Sequence, residues 1–134
     1  MIADSPLLQV EQLAVHFPMA RTSWLQRGAS PVLQAVSAVS FSMMPGETLA
    51  LVGESGCGKT TLGRALVGLY PTTHGAIRFK GEDLATMTKA QRQQTRHAIQ
   101  MIFQDPYESL NPRLPVSDVI TEPLLIHGIG SHTE

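Results

Sequence analysis

Apolar and polar positions alternate along the first part of the chain in a pattern typical of β-strands. The alternation covers residues 8–17, and its phase shifts near Gln12, which predicts a strand with a bulge or break. A second alternation, over residues 39–43, places Val, Phe and Met on one face and two Ser on the other. Between them, residues 18–31 have no periodicity and begin and end with proline, which predicts a loop.

The middle of the chain changes to patterns typical of buried strands and helices. Residues 49–52 are a continuous apolar run, which predicts a buried parallel strand, and residues 100–103 predict another short apolar strand. A helix face is indicated by apolar residues at i, i+3, i+4 and i+7, namely Leu62, Ala65, Leu66 and Leu69.

The remaining elements follow from shorter signals. Ile77 and Phe79 alternate with basic residues and predict a half-buried strand. Thr88, with Gln91 three residues later, predicts a capped helix that runs to about residue 97. Residues 116–126 predict a last helix, in which a proline must cause an end or a kink.

A glycine-rich stretch lies between the apolar run and the first helix. It reads Gly53, Glu54, Ser55, Gly56, Cys57, Gly58, Lys59 and Thr60, followed by Thr61, and it fits the phosphate-loop pattern of Gly, four free positions and Gly-Lys-Thr. Glycines let successive N–H groups point into one concavity, and the helix start adds unpaired donors. A chance glycine turn is the alternative, and the flanking strand and helix patterns argue against it.

Composition excludes several classes of function. The net charge of −1 gives no basic footprint for nucleic acid, and no apolar stretch is long enough to span a bilayer. A single cysteine, Cys57, excludes an internal disulfide, and we expect it to be buried and inert in the loop. The five histidines lack metal-ligand spacing. These features predict a soluble, intracellular chain that could dock onto a membrane protein.

A second motif carries a resemblance to a known family. Residues 100–113, Gln-Met-Ile-Phe-Gln-Asp-Pro-Tyr-Glu-Ser-Leu-Asn-Pro-Arg, closely resemble the Q-loop of ABC transporter ATPases. Within this motif, Phe-Gln-Asp-Pro followed by Ser-Leu-Asn-Pro-Arg looks like the branch that imports dipeptides, oligopeptides, nickel and glutathione. Residues 45–49, residues 53–59 and residues 122–124 are similar to the same branch. The resemblance runs from about residue 8 to residue 128. It implies an α/β fold: the nucleotide-binding domain of a P-loop ATPase, with a small antiparallel N-terminal β-subdomain. The core would reach about residue 104, and residues 105–134 would begin the helical subdomain.

The resemblance also implies roles for individual residues. The family binds ATP and Mg²⁺, with the phosphates in residues 53–61, Lys59 on phosphate and Thr60 on the metal ion. Gln104 takes the position of the glutamine that touches Mg²⁺ and the attacking water. Phe17 takes the position of the aromatic that stacks on adenine, although an edge-strand core role fits it equally, and Trp24 is a rival. Residues 107–113 would meet the membrane partner.

The same resemblance predicts binding partners, and it also shows which motifs of the family this sequence does not contain. We expect integral membrane permease subunits, a second ATP-binding subunit and a peripheral location on the cytoplasmic face of the inner membrane. However, the sequence contains no Leu-Ser-Gly-Gly-Gln-type signature, no apolar strand ending in Asp-Glu and no switch histidine. It therefore resembles the truncated N-terminal half of an ATPase that drives uptake of peptides or similar solutes. The alternatives are a remnant that binds nucleotide without turnover and an unrelated small P-loop kinase.

Overall fold

The computed structural model describes residues 5–19, 31–105 and 110–129, which form strands and helices in two units. The units are Met1–Met101 and Ile102–Glu134. In chain order the elements are β1 (Leu8–Pro18), β2 (Val32–Met43), α1 (Lys59–Leu66), β3 (His74–Phe79), β4 (Glu82–Asp83), α2 (Lys89–Ala98) and α3 (Val116–Ile126). All but α3 belong to the first unit. The described part contains no helix with the length and apolar content needed to cross a membrane.

The strands form one antiparallel sheet in the order β2-β1-β3-β4. β1 lies in the interior of the sheet, where Leu8 is paired with Met43 of β2 on one side and with Phe79 of β3 on the other. The alternations in the sequence therefore predicted three strands correctly. β2 begins earlier than its alternation indicated, because Val32 already pairs with Pro18.

The phase shift near Gln12 is a bulge in β1. Gln12 has a φ of 44°, and the register with β2 shifts between Val10 and Leu13. The backbone N–H of Gln12 donates to Ser40 Oγ at 2.8 Å, so the donor that the bulge removes from the ladder is still paired. The bulge lets Val10 and Leu13 both turn inward, and both are buried.

The core lies between one face of this sheet and α1. Its buried members are Leu8, Val10, Leu13, Val15, Val36, Leu62, Ala65 and Ile77. From the helix, Leu62 and Ala65 are buried and Leu66 is partly buried, as their spacing predicted. Leu69 lies beyond the end of α1 and is 56% exposed, so the helix face is one turn shorter than predicted. Complete burial of a side chain such as Leu62 contributes about 1.5–3 kcal/mol, which fixes α1 on the sheet.

Two predicted strands are wrong. Residues 49–52 and 100–103 form no strand, and their side chains are largely exposed, with Val52 at 95% and Ile102 at 96%. A parallel strand needs hydrogen-bonding neighbours and covered faces. Among the described residues, the four strands are hydrogen-bonded only to one another, and none of them pairs with residues 49–52 or 100–103.

The helix-start signals are confirmed. The hydroxyl of Thr88 accepts from the N–H of Gln91 at 3.3 Å, and the Gln91 side chain accepts from the N–H of Thr88 at 2.9 Å, which completes a capping box for α2. α3 has the predicted bounds and contains Pro123 near its end. The described part of the stretch before α3 has no helix or strand, as its prolines predicted, while residues 106–109 lie outside the described residues.

Gly75 gives a test of how closely β3 approaches the bulge. It has a φ of 82°, and a Cβ on it would lie 2.3 Å from the carbonyl oxygen of Glu11 and 2.4 Å from that of Gln12. We expect Gly75→Ala to lower the free energy of unfolding by more than about 2 kcal/mol, since a left-handed alanine alone costs about 1 kcal/mol and backbone must also move.

The matched control is Gly68→Ala. Gly68 has a φ of 72°, and a Cβ there would meet nothing within 4 Å. The decrease in the free energy of unfolding of Gly68→Ala should therefore stay near the conformational cost of a left-handed alanine alone, about 1 kcal/mol. Urea denaturation followed by circular dichroism measures both variants. Equal losses for the two glycines would contradict the close approach of β3 to β1.

Candidate functional site

The glycine-rich stretch forms an exposed turn that leads into α1. Gly56 and Gly58 have φ values of 81° and 95°, in the left-handed region that favours glycine. Gly58 is the N-cap of α1, which has no side-chain cap and no acidic residue in its first turn. The first backbone N–H groups of a helix have no partner within it, so those at the start of α1 are available to an anion.

Backbone contact with β2 holds this turn in place. A Cβ on Gly58 would lie 2.3 Å from the carbonyl oxygen of Ala35, which is in β2, and 3.5 Å from Val36 Cγ2. Only a residue without a side chain fits there. The start of α1 is therefore pressed against the sheet, and its direction is set by the same strand that contributes Val36 to the core.

Lys59 brings a positive charge over the loop. Its Nζ donates to the carbonyl oxygens of Gly53 and Glu54, each at 2.7 Å, and lies 3.4 Å from Cys57 Sγ. Among the described residues, the one ion pair joins Arg78 and Glu11, so Lys59 has no carboxylate partner there. The ammonium group is thus positioned by uncharged backbone carbonyls, and a cation at this point can form charge-assisted hydrogen bonds with an anion.

The other predicted loop residues lie at the surface. Glu54, Ser55 and Thr60 are exposed, and Thr61 is half-buried. Cys57 is exposed as well, so the expectation that it is buried is wrong. The reason is that residues 53–57 are all exposed, so the thiol lies at the surface of the turn, 3.4 Å from Lys59 Nζ.

Phe17 has a structural partner that sequence reasoning missed. It is half-buried at the end of β1 and packs edge to face against Tyr70, with ring centroids 5.2 Å apart. The Tyr70 hydroxyl accepts from Arg64 Nη1 at 2.9 Å. This packing fits the core role that the sequence left open, and stacking on adenine stays a prediction. The rival Trp24 lies outside the described residues. One signal in the sequence could have pointed to Tyr70, which is that this aromatic residue comes directly before the turn at Pro71.

Gln104 belongs to the second unit, Ile102–Glu134, and is exposed. The sequence placed it at the end of a strand, and that strand is absent. Its proposed contact with Mg²⁺ and water therefore stays a prediction. Among the described residues, no three His, Cys, Asp or Glu side chains come together in a way that could hold a metal ion.

Relatives of the chain carry names that fit this geometry. It is 51% identical over 129 residues to the glutathione import ATP-binding protein GsiA of Pectobacterium atrosepticum, covering 96% of this chain and 20% of that protein. It is 44% identical to the putative oligopeptide transport ATP-binding protein YkfD of Bacillus subtilis, covering 92% and 35%. A probable peptide ABC transporter ATP-binding protein of Sinorhizobium fredii, y4tS, is 48% identical over 88% of this chain and 33% of its own length. The chain thus spans about a fifth to a third of these relatives.

Comparison of folds agrees with these relatives. The ATP-binding cassette MJ0796, solved as a dimer in a post-hydrolysis state with ADP and Pi, superimposes with a TM-score of 0.70. The match covers 92% of this chain and 49% of that one at 18% identity, which shows a shared fold. The chain has the fold of the N-terminal portion of an ABC ATPase nucleotide-binding domain. The family model described as ABC transporter matches residues 36–130, and the chain belongs to the ABC transporter family.

Proposed function

We propose that this chain binds ATP as part of the ATP-binding subunit of an importer for peptides, glutathione or a similar small solute. The observation that carries the proposal is the position of Lys59, whose ammonium group lies over a glycine turn at the uncapped start of α1. The solute class rests on the names of the relatives, which are glutathione import and peptide transport ATP-binding proteins.

The residues of the turn fit a nucleotide with bound Mg²⁺. Residues 53–61 would hold the phosphates through backbone N–H groups, and Lys59 would leave its two carbonyl partners for phosphate oxygens. Thr60 is exposed in the first turn of α1, where its hydroxyl is free to bind the metal ion. From the resemblance to the family, we also propose Gln104 as a residue that contacts Mg²⁺ and Phe17 as the residue that stacks on adenine. When bound, the ion neutralises charge on the phosphates.

The proposed partners follow from the same relatives. An import ATP-binding protein needs a membrane component, so we propose integral membrane permease subunits and a second ATP-binding subunit as partners. The chain would then be peripheral, on the cytoplasmic face of the membrane. It would meet the permease through residues 107–113, of which 110–113 are described and exposed.

A second candidate function is nucleotide binding without turnover. This candidate applies to residues 1–134 taken by themselves, which contain neither an Asp-Glu pair at the end of an apolar strand nor a signature motif. Positioning and charge neutralisation account for most of phosphoryl transfer, but the attacking water must still be oriented. The family assignment leaves the small P-loop kinase alternative without support.

We expect Lys59→Ala to weaken binding of a fluorescent ATP analogue at least about tenfold, because it removes a charge-assisted contact to phosphate. The matched control is Lys80→Ala. It removes the same charge directly after β3, where the ammonium group of Lys80 lies near the ring of Phe79. Fluorescence titration of both variants makes the comparison. Equal affinities for wild type and Lys59→Ala would show that the turn is not the phosphate site.

We expect the chain alone to release no phosphate from ATP above background in the presence of Mg²⁺, since it lacks a general base and a signature motif. A continuous phosphate-release assay measures this, with Lys59→Ala as the blank for contaminating ATPases. Turnover by the wild type that disappears in Lys59→Ala would exclude the binding-only candidate.

A further inference from the structure

A second concavity lies in the first unit, and none of its lining residues belongs to the phosphate loop. It is a half-open cavity bordered by the C-terminal end of α1, the strands β3 and β4, and α2, and it has a volume of about 470 Å³. Cavities of this size hold small organic molecules of about drug size. No part of the proposed ATP and Mg²⁺ chemistry uses this cavity.

The walls of the cavity are mainly apolar. Leu66 comes from α1, Ile77 and Leu84 come from β3 and the segment after β4, and Ile99 follows α2. Ile77 is buried in the core, while the other three are half-buried. These side chains would therefore give up further exposed apolar surface to a ligand, which is a favourable contribution to binding.

Two guanidinium groups also line the cavity. Arg92 and Arg96 lie one turn apart on α2. Arg92 Nε donates to the carbonyl oxygen of Met87 at 3.1 Å, and its Nη2 donates to that of Ala85 at 3.5 Å, so this side chain is held against the wall. Neither arginine forms an ion pair within the described ranges 5–19, 31–105 and 110–129.

The acidic residue at the cavity does not cancel this charge. Asp83 also lines the cavity, and its Oδ1 accepts from the N–H of Ala85 at 2.9 Å. The hydrogen bond and charge of Glu11 raise the pKa of Arg78 above its ordinary value, and Asp83 adds a smaller contribution in the same direction, so Asp83 also lies within range of a third arginine. Two arginines against one aspartate leave a net charge of +1 around an apolar space.

We propose that this cavity binds a small amphipathic anion, with an apolar body and one carboxylate, sulfonate or phosphate group. The apolar body contacts Leu66, Leu84 and Ile99, and the anionic group pairs with Arg96. Arg92 already donates to two carbonyl oxygens, and its positive charge adds a longer-range electrostatic attraction for the anionic group. Charge complementarity selects an anion over a neutral ligand, because a neutral ligand would cover the apolar walls and leave Arg96 without a partner.

The test uses two probes with the same ring system. One is 8-anilinonaphthalene-1-sulfonate, which carries a single negative charge, and the other is N-phenyl-1-naphthylamine, which carries none. Arg96→Gln should weaken binding of the sulfonate probe about three- to fivefold and leave the neutral probe unchanged, since a partly exposed ion pair is worth up to about 1 kcal/mol. Lys89→Gln, the same charge change on α2 at a position outside the cavity, should alter neither.

Ala85→Phe separates the cavity from other apolar surfaces, such as the exposed residues 49–52. Ala85 lines the cavity and is exposed, so a phenyl group at this position should take up part of the space, and both probes should lose affinity. Circular dichroism spectra of the variants should coincide with that of the wild type. The proposal is overturned if the sulfonate probe does not bind, if Ala85→Phe leaves its binding intact, or if Arg96→Gln and Lys89→Gln have equal effects.

Discussion

The contact between Gly58 and the backbone of β2 is the constraint on which the site depends. With no side chain at position 58, the turn lies directly on the carbonyl group of Ala35, and α1 starts at the surface of the sheet. The same contact fixes the point at which α1 begins, and the first N–H groups of the helix have no side-chain cap. An anion at this point would gain both the free donors and the nearby ammonium group of Lys59.

The sheet can provide that support because its interior strand is tied on both sides. β1 pairs with β2 and β3. At its bulge, the N–H of Gln12 donates to Ser40 Oγ of β2, and Gly75 of β3 lies against the carbonyl oxygen of Gln12. The bulge keeps Val10 and Leu13 in the core, where Leu62 of α1 packs. Fixing α1 through its buried face and its first residue together leaves the loop little freedom to turn elsewhere.

Local patterns in the sequence were enough to predict much of this arrangement. Alternation located β1 and β3, the phase shift located the bulge, and the Thr88–Gln91 pair located the start of α2, because each of these depends on neighbouring residues. The phosphate-loop spacing likewise predicted a turn at a helix start. These features are set by backbone geometry and by side chains within a few positions of one another.

Features that depend on distant parts of the chain could not be predicted in the same way. Residues 49–52 are apolar enough for a buried strand, but apolarity does not say whether a neighbouring strand exists to pair with them. The packing of Phe17 on Tyr70 joins residues far apart in sequence, and periodicity carries no information about such pairs. The exposure of Cys57 depends on the three-dimensional path of the turn, which the spacing of its glycines does not specify.

The central claim is that contact with β2 holds the loop in a shape that binds phosphate. Isothermal titration calorimetry of Gly58→Ala with ATP and Mg²⁺ tests it directly, with Gly68→Ala, the left-handed glycine after the other end of α1, as control. A Cβ at 2.3 Å from the Ala35 oxygen must displace the turn, so affinity should fall at least about tenfold while the circular dichroism spectrum is kept. Wild-type affinity in Gly58→Ala would contradict the account.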